Sequence, residues 1–133
     1  MYIRFVSPLR TRRRGVDYGI FACAYQCWRD QRTPDYLRDA IRTELKWFEE
    51  SLPVPGIGNF YIKSKKRWYA DGICWFRSDA DEMIKRAYAL QALLGECGWN
   101  ISTNGTYEPG QILYRDQYQI VAKPGALTPT QWH

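Results

Sequence analysis

Two short basic segments hold the residues of this sequence that are best suited to bind a charged partner. The first places Arg10, Arg12, Arg13 and Arg14 within five positions, and each guanidinium can hold a phosphate with two parallel hydrogen bonds. The second combines cations with aromatic rings that can stack on bases. Its members are Lys63, Lys65, Lys66, Arg67, Trp68 and Tyr69. We take these ten side chains as the candidate binding residues.

The formal net charge of +5 is unevenly distributed along the chain. Residues 1–33 carry seven Arg against two Asp, and residues 53–70 carry four cations and no acid, whereas residues 34–52 and 71–108 are acidic. The basic segments therefore either bind an anionic partner or form solvated loops that balance the domain's own acidic helices. Another protein with an acidic surface is the expected partner. Nucleic acid is the alternative, although +5 is modest for a dedicated nucleic-acid binder.

The residues that usually carry catalysis or bind metals are sparse. The single histidine is His133, the last residue, so a histidine-based triad or general base has no positioned donor. Cys23 and Cys27 share a helical face, but no nearby residue completes a zinc site, and Cys74 has no adjacent base to activate it. These cysteines are interpreted as core residues. The sequence therefore predicts no catalytic residues, no metal and no cofactor.

Two groups of carboxylates are the remaining candidates for enzymatic chemistry. Glu49 and Glu50 come late on the solvent side of a predicted helix. Asp79, Asp81 and Glu82 fall near the start of another helix, where acids are favoured by the helix dipole alone. Structural roles are the preferred interpretation of both groups.

Length and composition predict one domain, with residues 1–124 folded and 125–133 as a mobile C-terminal tail. No apolar run approaches the ~20 residues that cross a bilayer. The basic cluster follows the first apolar stretch instead of preceding it, which is not the order of a signal peptide. Four cysteines on apolar faces favour reduced thiols, so a cytoplasmic location is expected.

Hydrophobic spacing predicts three helices. The first covers about residues 16–29, with Ile20, Cys23, Ala24, Cys27 and Trp28 on one apolar stripe. The second follows a Thr33 cap and ends at Pro53. The third follows a cap at Ser78 or Asp79 and ends at Gly98. The buried stripes of these two helices are Leu37, Ala40, Ile41, Leu45, Phe48 and Leu52, and Met83, Ala87, Leu90, Leu94 and Cys97.

Strands are predicted around the helices. Tyr2–Ser7 alternates and is expected to end at Pro8, and Ile73–Phe76 is apolar throughout, as in a central strand covered on both faces. In the tail, residues 99–103 form a strand before an Asn104-Gly105 turn, and residues 111–114 and 118–122 form a hairpin. The order β-α-α-β-α-β-β-β predicts an α+β fold: a two-layer, mostly antiparallel sheet of four to five strands backed by three helices.

Several segments resemble a family of small uncharacterised bacterial α+β proteins. The likeness covers about residues 1–124 and rests on Tyr2-Ile-Arg-Phe-Val6, Leu45-Lys-Trp-Phe48, Ile73-Cys-Trp-Phe-Arg77, Pro109-Gly-Gln-Ile-Leu-Tyr114 and Gln119-Ile-Val-Ala122. The resemblance implies the same α+β fold and brings no activity or site with it. Both basic segments lie outside the resembling residues.

The combined sequence features favour a non-enzymatic protein-binding module, such as an adaptor, an inhibitor or an immunity-type protein, that uses its basic and aromatic loops. The alternative is a nucleic-acid-binding protein that contacts phosphates through Arg10–Arg14 and Lys63–Arg67.

Overall fold

The chain folds into a sheet backed by three helices, as described by a computed structural model of residues 1–11, 17–53, 61–62, 67–68 and 72–130. The helices are α1 (Ile20–Arg29), α2 (Asp35–Ser51) and α3 (Asp81–Glu96). The strands are β1 (Tyr2–Thr11), β2 (Asp17–Gly19), β3 (Tyr61–Ile62), β4 (Arg67–Trp68), β5 (Ile73–Arg77), β6 (Ser102–Thr106), β7 (Gln111–Arg115) and β8 (Gln119–Lys123). This arrangement is the predicted α+β fold.

The main sheet is antiparallel throughout. Its strands run in the order β6, β1, β5, β8 and β7, and the short β2 adds a sixth strand. Val6 pairs with both Ser102 of β6 and Gly19 of β2, so these two strands lie on opposite edges of β1. Strands β5 and β2 therefore follow one another along the same edge of β1. Strands β3 and β4 form a separate two-stranded sheet.

The helices cover one face of the sheet with the stripes that the sequence predicts. Ile20, Cys23, Ala24 and Cys27 of α1 are buried, and so are the central positions of α2 and α3. They meet Phe5 of β1 and Phe76 of β5, whose rings stack edge to face with centroids 6.3 Å apart. The hydrophobic spacing of each helix therefore identified the face that packs on the sheet.

The opposite face of the sheet is also buried, and it holds a different set of residues. Its apolar part is Ile73, Trp75, Ile120 and Ala122. The burial of both Trp75 and Phe76 confirms β5 as a central strand covered on both faces, as its continuous apolar run predicts.

A buried polar row crosses this second face. Arg4 lies directly opposite Asn104 of β6, and the β1–β5 register brings Trp75 level with Arg4 on the other side. The three residues are only 8%, 9% and 1% exposed, respectively. Trp75 Nε1 and Asn104 Nδ2 have no hydrogen-bond acceptor within the described part of the chain. Buried donors of this kind are rare and costly in folded proteins.

Two predicted strand boundaries are wrong, for reasons of tertiary structure. Strand β1 continues past Pro8 to Thr11, because the register between β1 and β2 is irregular between Ser7 and Thr11 and proline is tolerated at such points. Asn104 and Gly105 lie inside β6 and not in a turn. Gly105 pairs with Ile3, and a Cβ at this position would meet the side chain of Met1. A glycine therefore fits this position of the strand.

Both predicted side-chain caps are also wrong. The N-cap of α2 is Pro34 and that of α3 is Ala80, and neither caps its helix through a side chain. The Thr33 hydroxyl instead donates to the carbonyl of Cys27 at 2.7 Å, which ties the end of α1 to the start of α2. Asp79 lies 3.2 Å from the Arg77 guanidinium. Gly98 does adopt the predicted left-handed conformation after α3, with φ of 89°.

The predicted hairpin of β7 and β8 is confirmed, and Asp116 organises its connection. The carboxylate of Asp116 accepts hydrogen bonds from the backbone N–H groups of Tyr118 and Gln119 and from the Tyr114 hydroxyl. The Gln119 amide donates to Asp116 and also to the carbonyl of Pro53 at 2.7 Å. This network links the hairpin to the end of α2.

Beyond β8, the Thr128 hydroxyl donates to the carbonyl of Glu108 at 2.7 Å and accepts from the Gly125 N–H. The mobile tail over residues 125–133 stays a prediction.

Candidate functional site

The first basic segment belongs to a β-hairpin. Thr11 of β1 pairs with Asp17 of β2, so Arg12, Arg13 and Arg14 fall in the chain between two paired strand ends. Arg10 lies within β1 itself, and not in the loop that the sequence predicts. Residues 12–16, which we call the first basic connection, lie outside the described residues.

The second basic segment also belongs to a hairpin. Ile62 of β3 pairs with Arg67 of β4, and Lys63, Lys65 and Lys66 fall between them. Residues 63–66, which we call the second basic connection, lie outside the described residues, as does Tyr69. Tyr61 pairs with Trp68 in the register of this hairpin. Short-range periodicity did not reveal either hairpin, since β2, β3 and β4 are only two or three residues long.

Charges on the helices, by contrast, are held in pairs within the domain. Arg42 donates to both carboxylate oxygens of Glu49 at 3.0 and 3.3 Å, and the Tyr25 hydroxyl donates to the same carboxylate. The Arg42 hydrogen bond lowers the pKa of Glu49, with a smaller contribution from Tyr25. Burial and the Glu49 carboxylate raise the pKa of Tyr25 to about 12. Glu49 therefore stays ionised, which is the opposite of what a general acid needs.

Glu50, Asp79 and Glu82, three other carboxylates considered from sequence, also lie beside cations. Glu82 and Glu44 both lie beside the Arg86 guanidinium, which also stacks 4.7 Å from the centroid of the Trp47 ring. Glu50 lies 3.9 Å from Lys46. Ion pairs of this kind fix the α2 and α3 surfaces, and they agree with the structural interpretation of these acids.

A thiol pair is the feature that sequence reasoning missed. Cys27, in the last turn of α1, and Cys97, the residue that follows α3, line the same cleft. Burial, then Cys27 and then Glu96 together raise the pKa of Cys97 to about 12. The spacing of Cys23 and Cys27 drew attention to the wrong pair, because Cys97 is seventy positions from Cys27.

These two thiols lie in an open cleft of about 410 Å³. The lining residues are Gln26, Cys27, Arg29, Asp30, Arg32, Thr33, Cys97 and Trp99. Arg32 donates to both carboxylate oxygens of Asp30 at 3.1 and 2.9 Å, and this contact lowers the pKa of Asp30 to about 2. A smaller recess of about 220 Å³ lies beside Met1, Tyr2, Arg77 and Arg115.

Among the residues that the structure describes, no three His, Cys, Asp or Glu side chains come together to hold a metal ion. Within the same part of the chain, no helix has the length and apolar character needed to cross a bilayer. Comparison of the chain with protein-family models, with curated proteins and with solved structures finds no match. Membership of the bacterial family that the sequence resembles stays a prediction.

Proposed function

We propose that this protein is a non-enzymatic protein-binding module, of the adaptor, inhibitor or immunity type, that contacts an acidic surface on its partner through the two basic connections. The observation that supports this proposal is that both cation clusters fall between paired strands of short β-hairpins. Connections between strands run over protein surfaces and commonly carry binding residues.

The distribution of charge supports an acidic partner. Arg42 and Arg86 on the helices, and Arg32 between α1 and α2, form ion pairs with acids of the same domain. The two basic connections contain six cations and no acid in nine residues, Arg12–Val16 and Lys63–Lys66. Clustered positive charge accelerates encounter with an acidic surface and disfavours basic ones. The proposal places the protein in a reducing compartment, the cytoplasm, and its four free thiols support that location.

Charge reversal with a matched control tests this function. One variant replaces Lys63, Lys65 and Lys66 with Glu, and the control replaces the exposed residues Lys46, Lys85 and Lys123 with Glu, which changes the net charge by the same amount. The wild-type protein is used to isolate partners from nuclease-treated lysate, and each candidate is then purified and titrated directly. We expect the first variant to bind at least about tenfold more weakly, equivalent to about 1.4 kcal/mol, and the control to bind like wild type. Equal loss in both variants, or loss of every partner on nuclease treatment, contradicts the proposal.

Nucleic-acid binding is the second candidate, and the pairing of Tyr61 with Trp68 favours it. Two aromatic residues paired across a hairpin, next to a lysine-rich connection, suit base stacking combined with phosphate contacts. Binding of a fluorescent single-stranded RNA is measured over a range of salt concentrations. Each phosphate that the protein neutralises contributes a slope of about −0.7 to log K against log salt on a single strand. Replacing Arg12, Arg13 and Arg14 with Ala would then flatten the slope, and an unchanged slope excludes this candidate.

A further inference from the structure

The first turn of α1 lacks the side chains that usually stabilise a helix N-terminus. Its N-cap is Gly19, in extended backbone with φ of −71° and ψ of 162°, which makes no side-chain hydrogen bond to the turn. The turn itself contains no acidic residue. The first N–H groups of an α-helix have no partner within the helix and carry a partial positive charge. This end of the 10-residue α1 therefore favours an anion.

A buried guanidinium lies directly beside this helix end. Gly19 pairs with Val6 of β1, and Arg4 lies two positions before Val6, on the same face of the sheet. A Cβ added to Gly19 would lie 3.7 Å from Nη2 of Arg4. The acid nearest to Gly19 in the sequence, Asp17, pairs with Thr11 at the other end of β2. Two independent sources of positive charge therefore meet at Gly19.

Trp75 adds a buried donor at the same edge of β1. It lies level with Arg4 on β5, and Gly19 lies level with Val6 on the same edge, so the two residues are roughly 7 Å apart along the strand direction. Trp75 is 1% exposed, and its Nε1 has no acceptor within the described part of the chain. An indole N–H can only donate, so the group that satisfies it must be an acceptor.

We propose that Arg4, the first turn of α1 and Nε1 of Trp75 form a binding site for a small tetrahedral oxyanion of the phosphate or sulfate class. Each of these groups is a donor or a positive charge, which favours a ligand with several acceptor oxygens. The burial of Arg4 and Trp75 favours a free ion over a phosphate attached to a larger molecule. The site uses none of the residues of the two basic connections, so it adds a small ligand to the proposed protein-binding function.

The indole N–H resonances provide the direct test. The full chain, labelled with a nitrogen isotope, is titrated with sodium sulfate and separately with sodium phosphate, while sodium chloride keeps the ionic strength constant. The Trp75 signal is identified as the one that is missing from the spectrum of Trp75→Phe. We expect it to shift and to reach saturation, both in the wild type and after Lys63, Lys65 and Lys66 are replaced with Glu. A Trp75 signal that does not shift, or that shifts without saturation, overturns the proposal.

Calorimetric titration of native variants measures what the indole donor contributes. Trp75→Phe removes the N–H and keeps an aromatic ring, so it should bind sulfate at least about tenfold more weakly, as expected for a lost hydrogen bond to a charged group. Thr106→Val is the matched control, because Thr106 lies on the same face and its hydroxyl already accepts the Glu108 N–H. This control should bind like wild type, and equal weakening in both variants contradicts the proposal.

Gly19→Asp tests the site without removing any buried group. The extended backbone of Gly19 suits an Asp N-cap, whose carboxylate would take the place of the anion beside Arg4. This variant should remain folded and lose sulfate binding, and it decides the question if Trp75→Phe does not fold. Wild-type affinity in Gly19→Asp overturns the proposal.

A phosphate ester distinguishes a free ion from a phosphate carried by a metabolite. Glycerol phosphate should bind the wild type at least about tenfold more weakly than inorganic phosphate, because its glycerol group does not fit an enclosed site. Equal or tighter binding of glycerol phosphate overturns the assignment to a free ion.

Discussion

On the helix-facing side of the sheet, Phe5 and Phe76 pack against an apolar helical layer, whereas on the opposite side Trp75 and Ile120 share the buried surface with Arg4 and Asn104. The buried amide of Gln119, on the helix-facing side, has hydrogen-bond partners. On the second face, Trp75 Nε1 and Asn104 Nδ2 have none in the described part of the chain. On the second face, buried donors without an acceptor therefore lie beside the apolar residues.

The largest loss of stability is expected from truncating Trp75, the large aromatic residue buried on the second face. Trp75→Ala should lower the free energy of unfolding by about 3–5 kcal/mol, because a fully buried Trp leaves a large cavity. Leu90→Ala, on the helix side, should cost about 2–5 kcal/mol. Chemical denaturation of both variants measures these changes in the free energy of unfolding. A loss below about 1 kcal/mol for Trp75→Ala would mean that the second face is not a packed core.

An intermediate loss of stability is expected from breaking the hydrogen-bond network around Asp116. Asp116→Ala removes the acceptor for three neighbouring residues and should cost about 1.5–3 kcal/mol at pH 7. Partial burial raises the pKa of Asp116, but the hydrogen bonds from Tyr118, Tyr114 and Gln119 together lower that pKa below its ordinary value of 3.8.

The folded state therefore favours the ionised carboxylate of Asp116, and the stability it contributes is present above pH 3.8 and lost as the pH falls through the lower, folded pKa. The difference in unfolding free energy between wild type and Asp116→Ala should shrink with acidification below pH 3.8. A difference that stays constant over this range would rule out a contribution from the charge.

The smallest change in stability is expected from two polar residues of the second face, one with a hydrogen-bond partner and one with a donor that has no acceptor. Asn104→Leu should change the unfolding free energy by less than about 1 kcal/mol or increase it, because it removes a buried donor that has no acceptor. Thr106→Val is the matched control on the same strand face. Its hydroxyl accepts the Glu108 N–H at 2.8 Å, so this variant should lose about 0.5–1.5 kcal/mol. The reverse order would show that Asn104 has a partner in solution.

The sequence predicted most of the helical layer and the core of the sheet. Helix stripes are local patterns, and the apolar run at Ile73–Phe76 identified a doubly covered strand without knowledge of its neighbours. The features it missed depend on distant residues. Asn104-Gly105 forms part of a strand because β1 pairs with it, and Thr33 does not cap α2 because its hydroxyl bonds to Cys27.

The candidate binding residues were recognisable by charge, but their common setting in hairpins was not. Strands of two or three residues carry too little periodicity to be seen in a sequence. The Cys27–Cys97 pair was equally hidden, because it forms only where the ends of α1 and α3 meet. Chemistry that depends on helix packing does not leave a local pattern.

The position of β1 has a consequence for the order of folding. Its first five residues pair with β6, about a hundred positions later, and the first two of them also pair with β5, about seventy positions later. The three helices can associate through shorter connections, but the sheet is complete only when β6 has paired with β1. Closing such long loops costs entropy before the contacts form. The chain should therefore fold more slowly than a helical bundle of its length, with strand docking as the rate-limiting event.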